Sequence, residues 1–108
     1  MAYDESLADR VREILADEPD VQEKNMFGGI CVMVAGHMAA GLVNHDLMVR
    51  VGPAYQELLA EPHARPMDFN GRPMKGYLYV GPEGVATDAD LRTWIGRTLS
   101  FVRSLPPK

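Results

Sequence analysis

Between Gly29 and Val51 the chain is apolar apart from Asp46 and Arg50, and two short turn signals, Gly36-His37 and Asn44-His45, cut it into three runs. Runs of five to seven residues bounded by two-residue turns read as antiparallel strands joined by hairpins, because a loop that short leaves no other way to reverse the chain. Strands are therefore predicted at about 29–35, 38–43 and 46–51. Phe69-Asn-Gly-Arg72 repeats the signal and joins strands at about 65–69 and 74–80. Val21 to Asn25 is a weak, polar lead-in strand. Helical spacing marks the ends of the chain. Asp4 can cap a helix to about Asp17 with Leu7, Val11, Ile14 and Leu15 on one stripe, and Pro19 lies beyond it. Gly52-Pro53 opens a short helix to Glu61. Thr87 with Asp90 resembles a capping box, and Leu91, Trp94, Ile95, Leu99 and Val102 form the stripe of a last helix to about Arg103. The order α-β-β-β-α-β-β-α predicts a single α+β domain over 1–108, one antiparallel sheet packed against helices.

The turns also assign faces, since directly opposed residues of an antiparallel pair share one. A turn at Gly36-His37 pairs Val34 with Ala39, and a turn at Asn44-His45 pairs Leu42 with Leu47 and Gly41 with Met48. One face then collects Cys31, Met33, Met38, Ala40, Leu42, Leu47, Val49 and Val51, and is expected to be the helix-covered core. The other collects Ile30, Val32, Val34, Ala39, Gly41 and Val43 with Asp46, Met48 and Arg50. In the second hairpin Met67, Phe69, Met74, Leu78 and Val80 share a face, opposite Asp68, Lys75, Tyr77 and Tyr79. The non-core set presents Ile30, Val32, Val34, Met48, Arg50, Tyr77 and Tyr79, a composition rich in the residue types of protein interfaces. It is expected to be a contact face, unless a helix or terminus folds over it.

Little in the chain points to chemistry. Gly28-Gly29 enters a strand rather than a helix N-terminus, so close backbone approach or a bulge explains it better than a phosphate cradle. A ligand or enzymatic site at that turn is the rival reading. Cys31 is expected to be a buried free thiol behaving as a small hydrophobe. His37, His45 and His63 lack the spacing of metal ligands. No catalytic residue, metal or cofactor is expected. Residues 1–23 carry eight acids against two arginines, and the remaining 85 residues seven acids against nine bases. That is no concentrated basic stripe, so nucleic acid is not expected as a partner. A weak nucleic-acid site would have to use Arg50, Arg65, Arg72 and Lys75. The first residues lack a signal peptide's basic and apolar regions, and no apolar run reaches membrane-spanning length. With a single cysteine, these features place the expectation in the cytoplasm.

Three segments in order carry a resemblance: Lys24-Asn-Met-Phe-Gly-Gly29, Asp46-Leu-Met-Val-Arg-Val-Gly52, and Arg65-Pro-Met-Asp-Phe-Asn-Gly-Arg-Pro-Met-Lys-Gly-Tyr-Leu-Tyr-Val80, followed by the helix with Leu91 and Trp94. With these the chain resembles the N-terminal domain of the TfoX/Sxy family, which includes regulators of natural competence. The resemblance implies an α+β domain similar to the secretion-chaperone fold, often a homodimer, with no established catalytic residues. It makes Met26, Phe27, Gly28 and Gly29 a structural motif. Family members that act as competence coactivators carry a second, C-terminal domain, so a direct regulatory role is not expected of these 108 residues alone. The expected function is that of a non-catalytic protein-binding module, accessory to transcriptional or competence regulation. It would pair with itself or with a protein such as a transcription regulator.

Overall fold

The computed structural model describes residues 3–26, 29–69 and 72–106. Asp4 accepts from the Leu7 amide at 3.2 Å and starts α1, Glu5–Ile14, which buries Leu7, Ala8 and Val11. Six strands follow: β1 Val21–Met26, β2 Gly29–Val34, β3 His37–Val43, β4 Asp46–Arg50, β5 Ala64–Phe69 and β6 Arg72–Val80. Between β4 and β5 lie a 3-10 turn at Gly52–Ala54 and a four-residue helix α2, Tyr55–Leu58, shorter than the spacing suggested. A second 3-10 turn, Pro82–Val85, leads to α3, Asp88–Arg103, whose cap Thr87 accepts from the Asp90 amide at 3.1 Å.

The strands form one antiparallel sheet in the order β1-β2-β3-β4-β6-β5. The fold is the expected α+β class. The polar run Val21–Met26 is a full edge strand along β2, and its charged residues suit an edge that must not recruit other strands.

The β2–β3 register differs from expectation, and a bulge in it changes the faces. The β2–β3 turn is Ala35-Gly36, with φ of 53° and 84°, so Val34 opposes His37 and Met33 opposes Met38. Holding an alanine in the left-handed region costs about 1–2 kcal/mol. That turn moves the pairing by two residues and by itself keeps the faces; the extra residue Ala39 in β3 reverses them, so three aliphatic side chains of β2 are buried beneath the helices instead of Cys31 and Met33. The extra buried aliphatic is worth roughly 1.5–3 kcal/mol. The β3–β4 turn at Asn44-His45 is as expected, with Leu42 opposite Leu47 and Gly41 opposite Met48.

The main core lies between this face and the helices. Ile30, Val32, Val34, Leu42, Leu47, Val49, Leu78 and Val80 meet Val11, Leu91, Trp94, Ile95, Leu99 and Val102. A register shift beside Met33 leaves Ala39 as an extra residue of β3. The hydroxyl of buried Thr98 on α3 lies 2.5 Å from the Ala39 carbonyl oxygen and 2.6 Å from that of Arg50. Its single proton serves one acceptor at a time. α3 is thereby tied to the sheet where the strand ladder is interrupted. Ion pairs Arg10–Asp88 and Arg103–Glu18 tie α3 to α1 and to the segment that follows it.

Candidate functional site

The sheet face away from the helices carries a row of residues fixed by strand pairing: Lys24, Cys31, Gly41, Met48, Tyr79 and Arg65, from β1 to β5. Arg50 and Tyr77 form the neighbouring pair, with Met33 and Met38 beside them on β2 and β3. Cys31, Met48 and Met67 make a small buried cluster, against which Met38, Tyr77 and Tyr79 pack half-buried.

Four of the seven residues expected on this face are there: Met48, Arg50, Tyr77 and Tyr79. Ile30, Val32 and Val34 are not. They are 2–5% exposed and belong to the helix-covered core, because the one-residue bulge at Ala39 shifts β2 against β3 and turns its side chains over. By the same shift Cys31, Met33 and Met38 leave the core face for this one. Met67 also changes side relative to Leu78 and Val80, since the β5–β6 ladder slips between Pro66 opposite Leu78 and Asp68 opposite Pro73. Met48 is wholly buried, so the face offers a partner its rim and not its centre.

The rim is electrostatically ordered. The Arg50 guanidinium sits between two rings, 5.7 Å from the centre of Tyr77 and 5.3 Å from that of Phe101, and donates weakly to the Met38 carbonyl at 3.5 Å. Gly52, at φ 58°, makes room for that arrangement: a Cβ there would fall 2.3 Å from the Phe101 ring. Arg65 lies 5.1 Å from the Tyr79 centroid and is ion-paired with Asp46. Burial, reinforced by Asp46 and Asp68, pushes the Tyr79 phenol above its ordinary pKa. Burial likewise pushes the Cys31 thiol up, which keeps it protonated and poorly nucleophilic.

Of the basic residues considered for nucleic acid, Arg50 is bracketed by aromatics and Arg65 is matched by Asp46. The side chains of Arg72 and Lys75 lie outside the described residues. Phe27, Gly28 and the Met26 side chain lie outside them as well. Gly29 is described, and its reason is backbone approach: a Cβ would sit 1.9 Å from the Leu42 carbonyl oxygen.

The histidines stand apart from one another. His37 is buried and donates from Nε2 to the Pro106 carbonyl at 2.5 Å. His45 Nδ1 is 3.8 Å from Asp4, and His63 Nδ1 is 3.8 Å from Glu83 at a cleft of about 300 Å³ beside Trp94 and Arg97. Among the described residues no three His, Cys, Asp or Glu side chains are grouped to hold a metal ion. No described helix is long and apolar enough to cross a membrane.

No curated protein matches the chain. The three segments that carry the resemblance include the end of β1 and the start of β2, then β4, then β5 and β6, so motif residues contribute to five of the six strands. The family model of the TfoX N-terminal domain matches residues 13–102, from within α1 to near the end of α3, and the chain belongs to that family.

Proposed function

We propose that the domain is a non-catalytic protein-binding module of the cytoplasm, accessory to competence or transcriptional regulation. It pairs with a second copy of itself, and the same face serves a protein such as a transcription regulator. The observation that carries this reading is the rim of the second sheet face, where half-buried Met33, Met38, Tyr77 and Tyr79 stand with Arg50 and Arg65. Tyrosine, methionine and arginine are the types enriched where proteins meet. Thioether side chains adapt to differently shaped partners.

A stable interface needs on the order of 1,200 Å² in total, about 600 Å² from each copy. That is about a tenth of the 6080 Å² surface of this chain. Symmetric pairing of one patch with itself is the commonest arrangement for soluble homo-oligomers. Light scattering after size exclusion tests the reading. A dimer is expected for the wild type, and a folded monomer for Tyr77→Glu. A monomer at every wild-type concentration removes the self-pairing, and a dimer indifferent to Tyr77→Glu places it on another surface.

A further inference from the structure

Sulfur is segregated in this molecule. Among the described residues the main core contains no cysteine or methionine, whereas all three buried members of the second cluster, Cys31, Met48 and Met67, carry sulfur. Met38 joins them from the rim, its Sδ 3.5 Å from Cys31 Sγ. Met48 reaches the same place because Gly41 has no side chain. A Cβ at Gly41 would stand 2.9 Å from the Met48 methyl and 3.5 Å from Cys31 Sγ. One thiol and three thioethers thus come from β2, β3, β4 and β5 into one buried cluster.

We propose that Cys31, Met38, Met48 and Met67 form a binding site for a soft monovalent metal ion, Cu(I) or its redox-inert analogue Ag(I). Thiolate and thioether donors select such ions over the harder divalent ones. The spacing suits shared coordination. Two sulfurs on one tetrahedral metal with bonds of about 2.3 Å stand roughly 3.8 Å apart, close to the 3.5 Å between Cys31 and Met38.

Charge makes the same selection. On binding, the Cys31 S–H bond breaks, a sulfur–metal bond forms and the proton leaves to solvent, with no electron transferred. One thiolate and one monovalent cation leave a neutral site among neutral thioethers. A divalent ion would leave a net positive charge buried without compensation, which an apolar pocket penalises heavily. Asp46, on the same face, is already engaged by Arg65. Half-buried Met38 provides the way in.

The test is a Cu(I) titration of the whole chain under reducing, oxygen-free conditions against a coloured Cu(I) chelator, with Ag(I) and Zn(II) in parallel. The expected result is one Cu(I) or Ag(I) retained per chain, one proton released, and no retention of Zn(II). Met38→Leu conserves volume at a half-exposed position and should fold. It should weaken Cu(I) binding at least about tenfold, as loss of a group supporting a metal does. Met33→Leu, outside the cluster, should leave binding unchanged. Cys31→Ala should abolish it, and if that variant does not fold, the two methionine variants decide. Complete stripping of Cu(I) from the wild type by the chelator overturns the proposal, as do equal affinities for Met38→Leu and Met33→Leu.

Discussion

The two faces of the sheet are built from different materials. Beneath the helices Ile30, Val32, Val34, Leu47, Val49, Leu78 and Val80 pack against aliphatic stripes of α1 and α3. On the other side Cys31, Met48 and Met67 are as deeply buried, yet the residues around them are Met38, Tyr77 and Tyr79, each still partly open to water. Branched aliphatics have few rotamers and specify one packing arrangement. Thioethers have three soft torsions and fill whatever space is left. The helix-covered face is thus suited to defining the fold, and the sulfur face to accepting something that the fold does not itself supply.

The sharpest way to break this comparison uses two neighbours in the sequence. Val32 faces the helices and Met33 the other side, so glutamate at each should have opposite consequences. Val32→Glu buries an unpaired carboxylate and should cost more than about 4 kcal/mol, enough to leave much of the chain unfolded in circular dichroism. Met33→Glu should keep its fold, with stability within about 1 kcal/mol of wild type, and lose self-association. The reverse pattern would mean that β2 is turned over, and equal behaviour of the two would mean that the faces do not differ in burial.

A second pair compares packing directly. Leu47→Ala empties a fully buried site in the main core and should cost about 2–5 kcal/mol in urea denaturation. Met48→Leu, one residue on and equally buried, keeps the volume and should cost under about 1.5 kcal/mol. Thr98→Val falls between them. It removes the one hydroxyl facing the Ala39 and Arg50 carbonyls, and a buried acceptor left unpaired costs about 1–3 kcal/mol.

That pair of carbonyls also marks where the sequence stops being legible. Element types followed from local signals: the Asp4 and Thr87 caps, the Asn44-His45 turn and the helical stripes all stand where the pattern put them. Faces did not, because face depends on register, and register at β2–β3 turned on one residue. Gly36-His37 and Ala35-Gly36 are both acceptable as text. Choosing between them moves the pairing by two residues and leaves the faces alone; the extra residue at Ala39 reverses them, and only the burial of Ile30, Val32 and Val34 against helices distant in sequence favours it. The slip in β5–β6 is of the same kind, with Gly76 at φ 90° the one local sign of it. The sulfur cluster was illegible for that reason: its members lie on four strands and share no spacing. Lys24, Arg50 and Arg65 could be read as charges, but not that Asp46 and two aromatic rings already hold two of them.

The smallest expected effect lies at the sheet's outer edge, where neither kind of packing reaches. Arg12 on α1 holds Glu23 of β1 through two hydrogen bonds, Nε to Oε2 at 2.7 Å and Nη2 to Oε1 at 2.8 Å. The guanidinium lowers the Glu23 carboxyl below its ordinary value, against a smaller opposing push from burial. A group whose folded pKa is depressed stabilises the protein fully above its unfolded pKa, and that contribution disappears as pH falls through the lower folded value. Both side chains are over a third exposed, so water screens the pair and it should contribute about 0.2–1 kcal/mol at neutral pH. Arg12→Ala should therefore lower the midpoint of thermal unfolding slightly at pH 7, and the difference from wild type should shrink as pH is lowered below about 4. A difference that stays constant into acid would mean that α1 is held to β1 by the methylene stem of Arg12 rather than by its charge.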